Sequence, residues 1–75
     1  MHAYILIGLA DCDELKILDE LTNHEEVVEA HILFGEWDIL AKIKAESNEA
    51  IAAFVMEKVR KIEDVKLTST LIVAK

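Results

Sequence analysis

The sequence contains no proline and no glutamine, and it has only two glycines, two asparagines and one cysteine. Such a chain is stiff and carries few heat-labile amides, a composition met in proteins from hot environments. A lone cysteine, Cys12, excludes an intrachain disulfide framework and fits a reducing cytoplasm. No basic-then-apolar opening of the signal-peptide kind is present. The longest apolar run, Ala3 to Ala10, falls far short of the roughly 20 residues that a membrane helix needs. Positive charge is also scarce: eight Lys and Arg face 15 Asp and Glu, a net charge of -7. The only local basic cluster is Lys58, Arg60 and Lys61. A phosphate backbone is repelled by such a surface, so direct contact with DNA or RNA is not expected.

What is abundant is aliphatic. The chain is 53% hydrophobic and 31% charged, which argues against disorder. Seventy-five residues suffice for one small domain spanning 1–75. A chain of this size buries only about 60% of its unfolded surface, so its stability calls for a partner.

Ala3 to Ala10 is uncharged and includes β-branched and aromatic residues, which reads as a central strand apolar on both faces. Asp11, with Glu14 three residues on, offers an N-cap for an amphipathic helix carrying Leu15, Ile17, Leu18, Leu21 and Thr22, ending near Asn23 and His24. A second strand runs from Val27 to Phe34, with Val28, Ala30, Ile32 and Phe34 on one face. Gly35 to Asp38 interrupts it. A third strand follows, with Ile39, Ala41, Ile43 and Ala45 on one side, and the two form a hairpin. Glu46, Ser47 and Asn48 supply caps for a second helix marked by Ile51, Phe54, Val55, Val59 and Ile62. Lys58, Arg60 and Lys61 suit its C-terminus. The closing strand sets Val65, Leu67, Ser69, Leu71 and Val73 against Lys66, Thr68, Thr70 and Ile72.

The order β-α-β-β-α-β is the ferredoxin-like split plan, an α+β fold. Right-handed crossovers place both helices on one face of a four-stranded antiparallel sheet. The other face is left bare, yet the first strand has no polar residue to offer it. A second copy packed sheet against sheet is the simplest cover.

Few residues suggest chemistry. His2, His24 and His31 lack metal-ligand spacings, so no metal or other cofactor is expected. His31 shares a face with Glu29 and is expected beside a strand presenting Thr68 and Thr70, either as an ordinary sheet residue or as a proton-transferring imidazole. The thiol of Cys12 feels a helix N-terminus but also Asp11, Asp13 and Glu14, which oppose its ionisation. The hairpin loop stands out: Gly35 permits a positive φ and close backbone approach, Trp37 places a large ring in a short loop, and Asp38 fixes a carboxylate. It fits either an amino-acid-binding loop or a plain turn with Asp38 bonded to nearby backbone.

Three stretches resemble the C-terminal, effector-binding (RAM) domain of Lrp/AsnC transcription regulators. They are Tyr4 to Ile7, Val27 through the Gly35-Glu36-Trp37-Asp38-Ile39-Leu40 loop, and Val65 to Val73 with Thr70. The likeness covers essentially the whole chain. It implies a non-enzymatic domain that dimerises through its sheet, joins further dimers into rings that are commonly octamers, and binds an amino acid or related metabolite between dimers. It also implies ligand contacts at Gly35, Asp38, Thr68 and Thr70. The family's usual helix-turn-helix half is missing ahead of the first strand, and the initial Met1 favours a stand-alone version over a fragment. The implied role is to modulate regulators of amino-acid metabolism, by co-assembly with full-length relatives. Two other readings share the topology. A small dimeric α+β-barrel enzyme, a monooxygenase or isomerase, would need His31 or Glu29 in a cavity; an ACT-type module would set its sheets side by side.

Overall fold

A computed structural model describes residues 1–75. Its elements are β1 (His2–Leu9), α1 (Glu14–Thr22), β2 (Val27–Ile32), β3 (Ile39–Lys44), α2 (Asn48–Phe54) and β4 (Val65–Ile72). A π-helical turn, Val55–Val59, continues α2. The strands form one antiparallel sheet in the order β2-β3-β1-β4, which is the expected ferredoxin-like α+β arrangement.

β1 lies between β3 and β4, as its lack of charge requires, and its alternation divides the molecule. Ala3, Ile5 and Ile7 are fully buried. Together with Ile39 and Ile43 of β3 they meet Ile17 and Leu21 of α1 and Ile51, Phe54, Val55 and Val59 of the second helical segment. This is one core under both helices. His24 closes its rim, its ring edge-on to Phe54 with centroids 5.5 Å apart. No buried side-chain polar atom lacks a hydrogen-bond partner.

Local chemistry corrects several sequence expectations. Asp13, not Asp11, caps α1: its carboxylate accepts from the Leu15 N–H at 3.1 Å, placing Glu14 inside the first turn. Ser47 caps α2 by accepting from the Ala50 N–H at 3.1 Å. The second helix does not stay α-helical, since Arg60 N–H donates to the Val55 carbonyl five residues back at 2.8 Å. A register shift between Val27 and Glu29 puts a bulge at Val28. The bulge turns Val28 outward, where it is 52% exposed, and β2 ends at Ile32, so Phe34 lies outside the strand.

A second shift, opposite Gly8 and Leu9, reassigns the start of β4. Val65 packs toward the core rather than sharing a face with Leu67, Ser69 and Leu71. Those three oppose Gly8, Leu6 and Tyr4, whereas Thr68 and Thr70 oppose the buried Ile7 and Ile5 and so lie on the helix side. His31 is not beside them either, because β2 and β4 are opposite edges of the sheet.

Candidate functional site

The hairpin loop is built around Asp38. Its N–H donates to the Ile7 carbonyl at 3.0 Å, and its carbonyl accepts from Leu33 N–H at 2.9 Å. Its carboxylate Oδ2 accepts from Leu9 N–H at 2.7 Å, where the β1 ladder shifts register. A charged acceptor thus anchors the end of β1 to the start of β3. Oδ1 has no hydrogen bond within the chain and the residue is half-buried. Gly35 has φ +131°, a backbone region that side chains other than glycine rarely enter. Trp37 folds over the bare side of the sheet toward Gly8: a Cβ on Gly8 would lie 3.8 Å from its ring and 3.4 Å from Leu67. Between Ile32 and Gly35, Phe34 projects fully into solvent.

Thr68 and Thr70 stand elsewhere. They form part of one wall of a groove of about 320 Å³ between β4 and the second helical segment. Ile51, Val55 and Met56 line the helical side and Ile72 continues the strand side, with Asn48 and Arg60 among its polar lining. Neither Gly35 nor Asp38 belongs to it. One chain therefore does not bring the four expected ligand residues together. Of the helical wall, Ala52 and Met56 escaped sequence reading, because they fall off the apolar stripe and look like ordinary solvent-facing positions. The signal was present in Met56 itself, a large apolar side chain that is 62% exposed.

The bare face carries both apolar and charged groups. Tyr4, Leu6, Leu40, Leu67 and Leu71 occupy its centre and its β4 edge, with Leu67 65% and Leu71 52% exposed. On the β2 side, His31 Nε2 and Glu29 Oε2 are 2.8 Å apart. That hydrogen bond holds the Glu29 carboxyl below its ordinary range. Lys42 sits 5.8 Å from the Tyr4 ring centroid. Desolvation, followed by the charges of Lys42, the N-terminus and Lys44, lowers the pKa of His2. None of the molecule's grooves is lined by His31 or Glu29. Cys12 is an unpromising nucleophile, since desolvation first, then Asp64, Glu14, Asp11 and Asp13, push its thiol pKa up. No cluster of His, Cys, Asp and Glu could hold a metal ion, and no helix is long and apolar enough to cross a membrane.

Residues 2–75 match the family model described as the Lrp/AsnC ligand binding domain. The chain belongs to the Lrp/AsnC family. Among curated relatives, an uncharacterized HTH-type transcriptional regulator of Pyrococcus furiosus is 37% identical over 57 residues, covering 76% of this chain and 38% of its own length. The chain spans about half or less of the length of such relatives. Among solved structures, FFRP-DM1 superposes with a TM-score of 0.91 at 32% identity, covering 96% of each chain. Escherichia coli AsnC superposes with a TM-score of 0.91 at 29% identity, over 99% of this chain and 50% of AsnC. This Lrp/AsnC ligand-binding domain therefore shares its fold with a protein of its own length and with half of a longer regulator.

Proposed function

We propose that this Lrp/AsnC domain is a non-enzymatic sensor of an α-amino acid or closely related metabolite, and that it acts as a homo-oligomer. The observation that carries the reading is the match of residues 2–75 to a ligand-binding domain of transcription regulators. In this reading Asp38 offers its free Oδ1 to the ligand ammonium, Gly35 offers a close backbone N–H, and Thr68 and Thr70 offer hydroxyls. The first pair and the second come from different copies, so the site is completed only on assembly.

Two copies pack through the bare sheet face, and dimers join further into a ring such as an octamer. The accessible area supports a need for partners: 5121 Å², against about 4600 Å² for a monomer of this mass. The acidic surface leaves DNA contact to others. Full-length relatives that read DNA co-assemble with the domain, and ligand binding shifts that assembly and hence transcription of amino-acid metabolic genes. The enzyme alternative draws no support from the site, because His31 and Glu29 are about half exposed at an edge strand, with no groove around them.

Thermal unfolding against a panel of amino acids tests the proposal, with Asp38→Asn beside the wild type. A ligand at a hundred times its dissociation constant adds about 2.7 kcal/mol to stability. Asparagine keeps an oxygen for Leu9 N–H while removing the charge, so a selective shift in the wild type that Asp38→Asn abolishes is expected. A panel that shifts neither protein contradicts amino-acid sensing.

A further inference from the structure

We propose that the bare sheet face is an acid-sensitive joint, in which protonation of His2 drives apart two copies paired through the sheet. It rests on the sheet-to-sheet pairing of the proposed function, not on effector binding. Charge is unevenly spread over the strands. Glu29 is the only acidic residue within any of them, and its carboxylate is taken by His31 at 2.8 Å. Lys42 and Lys44 alternate with the buried Ala41 and Ile43 and therefore point to the bare side. In a chain of net charge -7, this end of the bare face is positive.

His2 opens β1 within that strip. Alternation with buried Ala3 sends its half-buried ring to the bare side, where its cross-strand partner is Lys44. Lys42 lies two residues along β3, opposite Tyr4, with its ammonium 5.8 Å from that ring. On the other flank β4 offers aliphatic neighbours: Leu71 opposes Tyr4, and the Val73 N–H donates to the His2 carbonyl at 3.0 Å. The Met1 ammonium, bonded to the Ala45 carbonyl at 3.0 Å, adds a further positive charge. Glu25, Glu26 and Glu46 share a groove with Lys44 but form no ion pair with Lys44 or His2. A protonated His2 thus meets Lys42, Lys44 and the amino terminus, and no carboxylate. Desolvation first, then Lys42, the amino terminus and Lys44, already hold its pKa below the ordinary 6.5 in the single chain. A second copy laid over the face removes more water and lowers it further, since an unpaired charge is costly to bury.

A histidine whose pKa falls on pairing favours the pair above its ordinary value and opposes it as pH drops below 6.5. Each unit of lowering loosens the pair about tenfold per protonated histidine, hence about a hundredfold for two copies. Net charge works the other way. Acidification toward the isoelectric point of 4.8 strips charge from both copies and removes their mutual repulsion, so a contact governed by net charge tightens in acid. His31 is no second trigger, because protonating it beside Glu29 completes an ion pair instead of leaving an unpaired charge. His24 lies on the helix side, against Phe54.

The test is sedimentation equilibrium at about pH 7.5 and about pH 5.5 and fixed ionic strength, with circular dichroism at both. The wild type is expected to stay folded while its dissociation constant rises at least about tenfold in acid. His2→Gln, which cannot take up a proton, should lose that dependence. Lys44→Glu, which supplies a carboxylate across from His2, should weaken it, and His31→Gln should keep it. Wild-type association that is unchanged or tighter in acid overturns the proposal but leaves the sheet pairing standing. A His2→Gln chain that dissociates in acid as the wild type does also overturns it. A wild type that is a single chain at both pH values takes the pairing down as well.

Discussion

The two faces of the sheet are made from the same strands yet have opposite fates. On the helix side, Ala3, Ile5, Ile7, Ile39 and Ile43 are at 0% exposure, sealed by two helices. On the other side, Tyr4, Leu6 and Leu40 remain half-buried and Leu67 and Leu71 are mostly open. A face that retains this much aliphatic surface beside a few charged groups at one edge is one that a single chain does not finish. Alternate residues of β1 thus serve different ends: Ala3, Ile5 and Ile7 build the core of the single chain, and Tyr4 and Leu6 face the side where, in the proposed reading, a second copy packs.

Substitutions can break that division. The double change Leu67→Asp, Leu71→Asp has the largest expected effect, weakening self-association by on the order of a thousandfold, since each leucine contributes at least about 1.5 kcal/mol when buried. Because both residues are exposed in the single chain, its fold should persist, as dilution-dependent sedimentation together with circular dichroism would show. Ile5→Ala strikes the opposite face and should cost about 2–5 kcal/mol of folding free energy, visible in urea unfolding. In a small domain that loss approaches the whole margin.

Asp38→Ala should cost about 1.5–3 kcal/mol by orphaning the Leu9 N–H, and Asp38→Asn distinctly less. Hydrogen exchange at Leu9 would separate the two. Gly35→Ala, at a φ of +131°, should cost about 1–3 kcal/mol and raise exchange in the loop while sparing the helices. The smallest effect is acidic. Glu29 has a folded pKa below its ordinary 4.5, because His31 hydrogen-bonds the carboxylate. Its contribution to stability is therefore present above that value and fades as pH falls through the lower folded one. His31→Ala should flatten this acid limb slightly in a pH series of thermal melts, since the pair is exposed and solvent-screened.

Much of this was legible in the sequence for physical reasons. β1 declared itself central through the lack of charge at any position from Ala3 to Ala10, and the bare face followed from that. The loop from Gly35 to Asp38 was visible as a break in alternation, and its glycine does hold a positive φ. What could not be read is what depends on a shift by one residue. Bulges at Val28 and opposite Gly8 and Leu9 moved Val28 and Val65 to the faces opposite those that simple alternation gave them, because a period of two reverses wherever an extra residue enters. The cap moved from Asp11 to Asp13 for a similar reason: several carboxylates compete within three residues, and only backbone geometry chooses. His31 was placed beside Thr68 and Thr70 on an assumed strand order, but pairing partners are tertiary facts that composition does not encode. The groove depends on where Met56 and Arg60 fall around a π-helical turn, which no helical period anticipates.

The most direct test of the two-face account is sedimentation equilibrium of the wild-type chain beside Leu67→Asp, Leu71→Asp. A wild-type mass of at least two chains, persisting at low micromolar concentration, is expected, together with a folded single chain for the variant. A wild type that sediments as one chain with its fold intact, or a variant that assembles as the wild type does, would contradict it.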